Sequence, residues 1–326
     1  MARSRSVVVP RTGDPSVLTV DTVEVGEPGP GQLLVRLAAA GVNFIDVYQR
    51  QGIYPRPVPF VLGLEGAGVV EAVGAEVSGV GVGDRVAWSF SPGSMSELVL
   101  VPAADTVPVP EAVPLEIAAA SMLQGLTAHY LVRSTHEVRP GQTILVHAAA
   151  GGVGQLLVQL GKLLGARVVA TAGGPDKCSL AAGLGADTVI DYRAVDDLAG
   201  AIRAATDGQG VDVAYDGVGK DTFEASLASL RRRGLLALYG AASGPVPPLD
   251  LQRLNAAGSV FVTRPSLPHH LATREELLWR SGELFDWIGQ GQLTVAEPTR
   301  FGFDEAGAAY AALEGRRTTG KVLLVP

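Results

Sequence analysis

With 326 residues, 47% of them hydrophobic and 18% charged, the chain is globular rather than disordered, and its length suggests two domains. A net charge of −7 and a single cysteine, Cys178, argue against a generic nucleic-acid surface and exclude internal disulfides and cysteine-rich zinc sites. No stretch approaches the ~20 uninterrupted apolar residues of a spanning helix, and MARSRSVVVPRTGD lacks the apolar core of a signal peptide, so a cytoplasmic enzyme is expected.

Residues 1 to about 110 read as β-rich. The runs Ser6–Val9, Leu18–Val25 and Leu33–Ala38 are separated by Gly/Pro turns, notably GEPGPG at 26–31. GVNFIDVY, from Gly41 to Tyr48, leads into the proline-broken loop QGIYPRPVPF. The glycines of VLGLEGAGVVEAVGAEVSGVGVGDRVAW then stand among β-branched residues, as in a strongly bent sheet. A compact β-barrel-like domain fits this pattern better than a parallel sheet.

From Leu115 to about Val132 the pattern is helical, and beyond Arg139-Pro140-Gly141 strands and helices alternate. The alternation begins with QTILVHAAAGGVGQLLVQLGKLL, residues 142–164. Thr143 to Val146 form a short apolar strand, and Gly151, Gly152 and Gly154 allow a sharp turn. Val153, Leu156, Leu157, Leu160 and Leu164 then recur at helical spacing. Strand, glycine turn and helix make the entry unit of a dinucleotide fold, with a pyrophosphate on the helix start. Ala149 stands where the G-x-G-x-x-G fingerprint has its first glycine.

Five further strands are expected, at Arg167–Ala172, Thr188–Tyr192, Val211–Asp216, Leu235–Gly240 and Ser259–Thr263. Together they predict a doubly wound parallel sheet with its ligand crevice at the strands' carboxyl ends. Phe223, Leu227 and Leu230 predict a helix, closed by Arg231, Arg232 and Arg233 with Gly234 as its C′ residue. Thr273-Arg274-Glu275-Glu276 has the capping-box form and opens another helix. The terminal TTGKVLLVP reads as a strand able to rejoin the first sheet. The expected plan is a first domain of residues 1–124 and 267–326, with a nucleotide-binding domain, 125–266, inserted.

AAAGVNFIDVYQRQGIYP, GLEGAGVVEAVG, AAAGGVGQLLVQLGKLLGA and VTRPSL, in this order, resemble the NADPH:quinone oxidoreductases, the zeta-crystallin-like branch of the medium-chain dehydrogenase/reductases. The resemblance implies a GroES-like β-barrel catalytic domain, a Rossmann domain for NADPH, and quinone reduction in a cleft between them. Where zinc-dependent relatives carry a cysteine and a histidine, this chain has Asn43 and Leu64, neither a usual zinc ligand. Ile45 stands in place of their hydroxyl proton relay. Hydride delivery without a Lewis acid is therefore expected, and quinones, already strong electrophiles, suit it. Activated enones are similar electrophiles, so an enone or enoyl reductase is the alternative. An RNA-binding zeta-crystallin-like role is a third reading, opposed by the acidic balance.

The resemblance implies a catalytic set of Asn43, Asp46, Tyr48 and Tyr54. Asn43 would bond the nicotinamide ribose or a substrate carbonyl, or else form a local turn. Asp46 would act in the site or cap the following helix. Tyr48 and Tyr54 would line the substrate region. Glu65 is expected near it, as a catalytic group or the partner of an arginine. For NADPH the implied contacts are Asn43, Thr127, the turn of Ala150, Gly151, Gly152, Val153 and Gly154, then Gly173, Lys177, Tyr192, Tyr239, Ser243 and Arg264. NAD-preferring sites place an acid at the end of the second strand. Here that strand runs into Gly173, with Lys177 placed to meet a 2′-phosphate and Asp176 beside it. Gly217 replaces a serine common in related sequences. The histidines show no ligand spacing. A homodimer joined through the edge strand Ser259–Thr263 completes the expectation.

Overall fold

The computed structural model describes residues 2–315 and 318–326. The chain opens with β1 (Ala2–Val9), β2 (Thr19–Val25), β3 (Gln32–Gly41), α1 (Phe44–Arg50) and β4 (Phe60–Val61). Then come β5 (Gly66–Val73), β6 (Arg85–Trp88), β7 (Leu98–Pro102), β8 (Thr106–Pro108) and α2 (Leu115–Tyr130). The alternating region holds β9 (Thr143–Val146), α3 (Gly152–Leu163), β10 (Arg167–Ala172), α4 (Pro175–Gly183), β11 (Thr188–Asp191) and α5 (Leu198–Ala205). It continues through β12 (Val211–Asp216), α6 (Phe223–Ser229), β13 (Leu230–Leu238), α7 (Gln252–Ala256) and β14 (Phe261–Thr263). Last are α8 (Arg274–Gly289), β15 (Thr299–Gly302), α9 (Ala306–Glu314) and β16 (Val322–Val325). Two compact units result: the chain up to Gln124 with Leu271–Gly291 and Val295–Pro326, and Gly125–His270 with Gln292–Thr294.

The first unit is GroES-like. One sheet has the order β2-β1-β4, and a larger one runs β15-β16-β3-β5-β6-β8, with β7 also paired to β3. The register of β3 on β5 shifts between Leu34 and Val35 and again between Leu37 and Ala39. Such irregularities bend a sheet. Gly68 sits at this bend because a Cβ there would collide with the Arg36 carbonyl. The bent sheet wraps Leu33, Val35, Trp88 and Val101, and the C-terminal segment adds Phe303 and Tyr310. The terminal strand does rejoin this sheet, pairing Leu323 with Gly41 and Leu324 with Ala40.

The second unit is Rossmann-like. Its six strands are parallel and ordered β11-β10-β9-β12-β13-β14. The chain winds outward from β9 in both directions, so the glycine turn after β9 lies at the topological switch point. Leu145, Val169, Ala214 and Leu236 of the sheet pack with Ile202, Phe223 and Leu227 of α5 and α6. As expected, β14 is an edge strand.

One expectation is corrected. Arg231, Arg232 and Arg233 do not close a helix; α6 ends at Ser229 and all three lie in β13. Arg231 Nε donates to Asp212 Oδ1 (2.6 Å), beside a register shift between Val211 and Val213. The left-handed residue is Arg233 (φ +59°), not Gly234. A Cβ on Gly234 would come 3.0 Å from the Val211 carbonyl, so close strand contact is the reason for that glycine. Among the described residues no helix is long and apolar enough to cross a membrane.

Candidate active site

In the first unit, β3 ends at Gly41 and Asn43 is the N-cap of α1. A Cβ on Gly41 would collide with Glu65 Oε2, so the glycine leaves room for a buried cluster. Lys321, the residue before β16, donates from Nζ to Glu65 Oε2 (2.5 Å), Asn43 Oδ1 (2.8 Å) and Gln124 Oε1 (2.8 Å). Three acceptors for three N–H bonds satisfy the ammonium completely. Glu65 Oε1 accepts the Leu123 N–H (2.5 Å). Asn43 Nδ2 donates to Gly41 O (3.1 Å) and Glu65 Oε2 (2.9 Å), while its Oδ1 also accepts from Gln124 Nε2 (2.9 Å). Every position of the Asn43 amide is therefore used inside this unit. Burial pushes the Lys321 ammonium below its usual range, and the adjacent Glu65 carboxylate opposes that shift. Of the two readings open to Glu65, the geometry displays the ion pair, and its partner is a lysine rather than an arginine.

Asp46 is the N3 residue of α1 and faces inward. Its Oδ2 accepts the Asn43 N–H (2.8 Å) and the Tyr310 hydroxyl (2.8 Å), while Oδ1 is buried without a hydrogen-bond partner among the described residues. Burial raises its pKa to about 7, against the lowering effect of the Tyr310 bond. Of the two roles open to Asp46, helix capping is the one this geometry displays. Tyr48 lies on a more exposed face of α1 and meets Tyr54 edge-on, with ring centroids 5.4 Å apart. Tyr54 is 47% exposed.

In the second unit nearly all the expected cofactor residues fall at carboxyl ends of strands. After β9 come Ala150 to Gly154, with Gly151 as N-cap of α3. A Cβ on Gly154 would collide with the Ala148 carbonyl, so this glycine lets helix and strand approach. The left-handed residue of the turn is Ala148 (φ +50°). After β10 come Gly173 and Lys177, the latter in the first turn of α4. Tyr192 follows β11, and its hydroxyl lies where a Cβ on Gly173 would go. Tyr239 and Ser243 follow β13, and Arg264 follows β14. Thr127 is set apart, buried on α2.

Two of these residues carry local duties. The Tyr239 ring fills the space above Gly217, where a Cβ would come within 2.8 Å of it, which explains glycine at 217. Ser243 Oγ donates to Val218 O (2.8 Å) and accepts the Asp221 N–H (3.0 Å), bracing the loop after β12. Asp191, ending β11, accepts the Gly174 and Arg193 N–H groups (both 3.0 Å), and these bonds lower its pKa. It thereby brings Arg193, which sequence reasoning passed over, next to the Gly173-Gly174 turn.

Known proteins agree with this architecture. The Alcohol dehydrogenase GroES-like domain model matches residues 29–111, and the Zinc-binding dehydrogenase model matches 152–274. A quinone oxidoreductase of Pseudomonas aeruginosa is 46% identical over 96% of this chain and 97% of its own. A 2-haloacrylate reductase of a Burkholderia species is 42% identical over 98% of both chains. The structure of mycobacterial Rv1454c complexed with NADPH superposes with a TM-score of 0.95 at 50% identity, covering 99% of this chain and 100% of that one. The chain belongs to the quinone oxidoreductase family of the medium-chain dehydrogenase/reductases. It is an oxidoreductase.

Zinc, implied by one model's description, does not fit the residues present. Asn43 and Leu64 stand where the resemblance to zinc-dependent relatives implies a cysteine and a histidine, the Asn43 amide is already saturated, and no cluster of three or more His, Cys, Asp or Glu suited to a metal occurs among the described residues. Sequence reasoning also missed Lys321 and gave Gln124 no role. The available signal was a lone lysine opening the apolar run VLLV.

Proposed function

We propose that this oxidoreductase reduces quinones with NADPH and uses no metal ion. The observation that carries the reading is the carboxyl edge of the parallel sheet, where the glycine turn and the loops after β10, β11, β13 and β14 bring one expected cofactor residue after another. The turn from Ala150 to Gly154 would hold the pyrophosphate on the N–H groups opening α3. Lys177, Arg193 and Tyr192 would hold the 2′-phosphate end, and Thr127, Tyr239, Ser243 and Arg264 the remainder. NADPH supplies a hydride equivalent, so the protein need only bind, orient and exclude side reactions. Tyr54, half-exposed and braced by Tyr48, offers a hydroxyl to a quinone carbonyl oxygen. Asn43, with its amide saturated, acts by positioning Glu65, Lys321 and Gln124, and Asp46 by fixing the start of α1.

Activated alkenes are the second reading, favoured by the identity to the 2-haloacrylate reductase. The exposed Phe261 on the edge strand β14 supports a homodimer joined there. Light scattering at micromolar protein should report the dimer mass; monomer alone would refute the pairing. The functional test is NADPH oxidation by the purified protein with 1,4-benzoquinone and with 2-chloroacrylate, before and after prolonged chelation. Quinone turnover unchanged by chelator is expected. Turnover lost to chelator and restored by zinc, or no turnover with any quinone, would contradict the reading.

A further inference from the structure

Beneath the glycine turn lies a chain of polar side chains with no part in the reading so far. His147 is the last residue before Ala148, and it is fully buried. Its Nδ1 lies 2.8 Å from Thr171 Oγ1 on β10, and its Nε2 lies 2.9 Å from Ser226 Oγ on α6. Ser226 Oγ in turn lies 2.8 Å from Asp216 Oδ2 at the end of β12. The other oxygen of Asp216 accepts the Val218 and Gly219 N–H groups (2.9 and 3.0 Å), and the Thr222 hydroxyl donates to the same carboxylate (2.8 Å). Three elements, β10, β12 and α6, and the loops after β9 and β12 thus meet through one imidazole and one carboxylate.

The direction of this chain follows from proton counting. A carboxylate accepts and never donates, and a serine hydroxyl has one proton to give. Ser226 gives that proton to Asp216 and therefore accepts from His147, which must carry its proton on Nε2. Nδ1 is then an acceptor, so Thr171 donates to it. Burial lowers the pKa of His147 against the pull of Asp216, in keeping with a neutral ring.

The backbone beside the ring shows what the chain holds in place. The His147 N–H donates to Tyr215 O (3.1 Å) on β12, and the Ala149 N–H donates to Thr171 O (3.0 Å) on β10. Between these two pinned residues, Ala148 takes a left-handed conformation that an L-residue disfavours. Its carbonyl accepts the Gly151 N–H (2.8 Å), the bond that closes the turn.

We propose that Asp216, acting through Ser226, sets the tautomer of His147, and that this one-way chain holds Ala148 and the turn to Gly154 in the form that receives the cofactor pyrophosphate. Asp216, Ser226 and His147 are then positioning residues, tying the loop after β12 to the turn after β9. The inference rests on the reading that this turn binds NADPH.

The test uses the full-length protein labelled with 15N-histidine, with His147 assigned by its loss in His147→Gln. In the wild type at neutral pH the His147 ring should carry its proton on Nε2. Asp216→Asn keeps an oxygen for the Val218 and Gly219 N–H groups but turns an NH2 toward Ser226. The serine proton is then redirected to His147 Nε2, and the imidazole should switch to the Nδ1–H tautomer. NADPH titration should show an affinity loss of about tenfold in Asp216→Asn and in Ser226→Ala, with KM for NADPH rising more than kcat falls. Thr171→Val, a near-isosteric change, should show a smaller loss in the same direction and serves if Asp216→Asn does not fold. An Nδ1–H ring in the wild type, an unswitched ring in Asp216→Asn, or unchanged NADPH affinity in Ser226→Ala would each overturn the proposal. Wild-type protein that does not bind NADPH would instead overturn the functional reading, while the ring tautomer would still test the relay.

Discussion

The first unit buries a full ion pair, Glu65 with Lys321, whose members are 256 residues apart in sequence, whereas the widest contact in the second unit's relay, from His147 to Ser226, spans 79. Two opposite charges and two amides close the first cluster; one carboxylate, three hydroxyls and a neutral ring make up the second. Removing one member of a buried ion pair leaves an uncompensated charge, while removing one hydroxyl leaves only an unsatisfied dipole. The two clusters should therefore fail very differently.

The largest effect is expected from Lys321→Met, which strands Glu65 and should cost about 3–5 kcal/mol in denaturant unfolding. Adding Glu65→Gln should recover much of that loss, and additive losses in the double-mutant cycle would show that the pair is not coupled. Ser226→Ala in the second unit should cost only about 1–3 kcal/mol by the same measurement.

Titration sharpens the contrast, because Asp46 in the first unit and His147 in the second respond to pH with opposite signs. Asp46 has its pKa raised from 3.8 to about 7 by burial, so the folded state binds its proton more tightly than the unfolded chain. Its contribution is fully present below pH 3.8 and lost as pH rises through about 7, by up to about 4 kcal/mol. Asp46→Asn should flatten that slope. His147 is shifted downward from 6.5, so its contribution is present above that value and lost as pH falls toward the lower folded pKa. His147→Gln should flatten the acid limb instead. Urea midpoints from about pH 4 to about pH 8 check both, and identical profiles for wild type and variants would refute both assignments.

The smallest effect separates glycines held by contact from one that is not. Gly282 lies within α8 with open space where a Cβ would go, so Gly282→Ala should stabilise by about 0.5–1 kcal/mol. Gly154→Ala should destabilise, because its Cβ would meet the Ala148 carbonyl. A gain in thermal midpoint for both would break this distinction.

These contrasts also explain what could be read from the sequence. The second unit was legible because each strand is followed closely by its own turn and helix, and Gly151, Gly154 and Lys177 stand at fixed steps from an apolar run. The bent sheet of the first unit was legible from its scattered glycines. Lys321 was not, since its site exists only after β16 pairs with β3 and brings it to Gly41. Gln124 is one polar residue on an apolar helix and meets its partners only in the fold. The arginine run misled because Leu230 continues the helical spacing of Phe223 and Leu227, although tertiary pairing with β12 makes it the first residue of a strand. The order in which His147, Ser226 and Asp216 pass their protons needs distances that no spacing rule supplies.

The most direct test of the central claim is the ratio of kcat/KM for NADPH over NADH with 1,4-benzoquinone, in the wild type and in Lys177→Ala. A charge-assisted contact to the 2′-phosphate is worth ~1.5–3 kcal/mol, which predicts a wild-type preference for NADPH of about 10- to 150-fold, toward the lower end where solvent screens it. Lys177→Ala should remove most of that preference by weakening NADPH alone, and Lys177→Ala/Arg193→Ala should remove the remainder. Equal kcat/KM for the two cofactors in the wild type, or an equal loss with both in Lys177→Ala, would contradict the assignment of this site to NADPH.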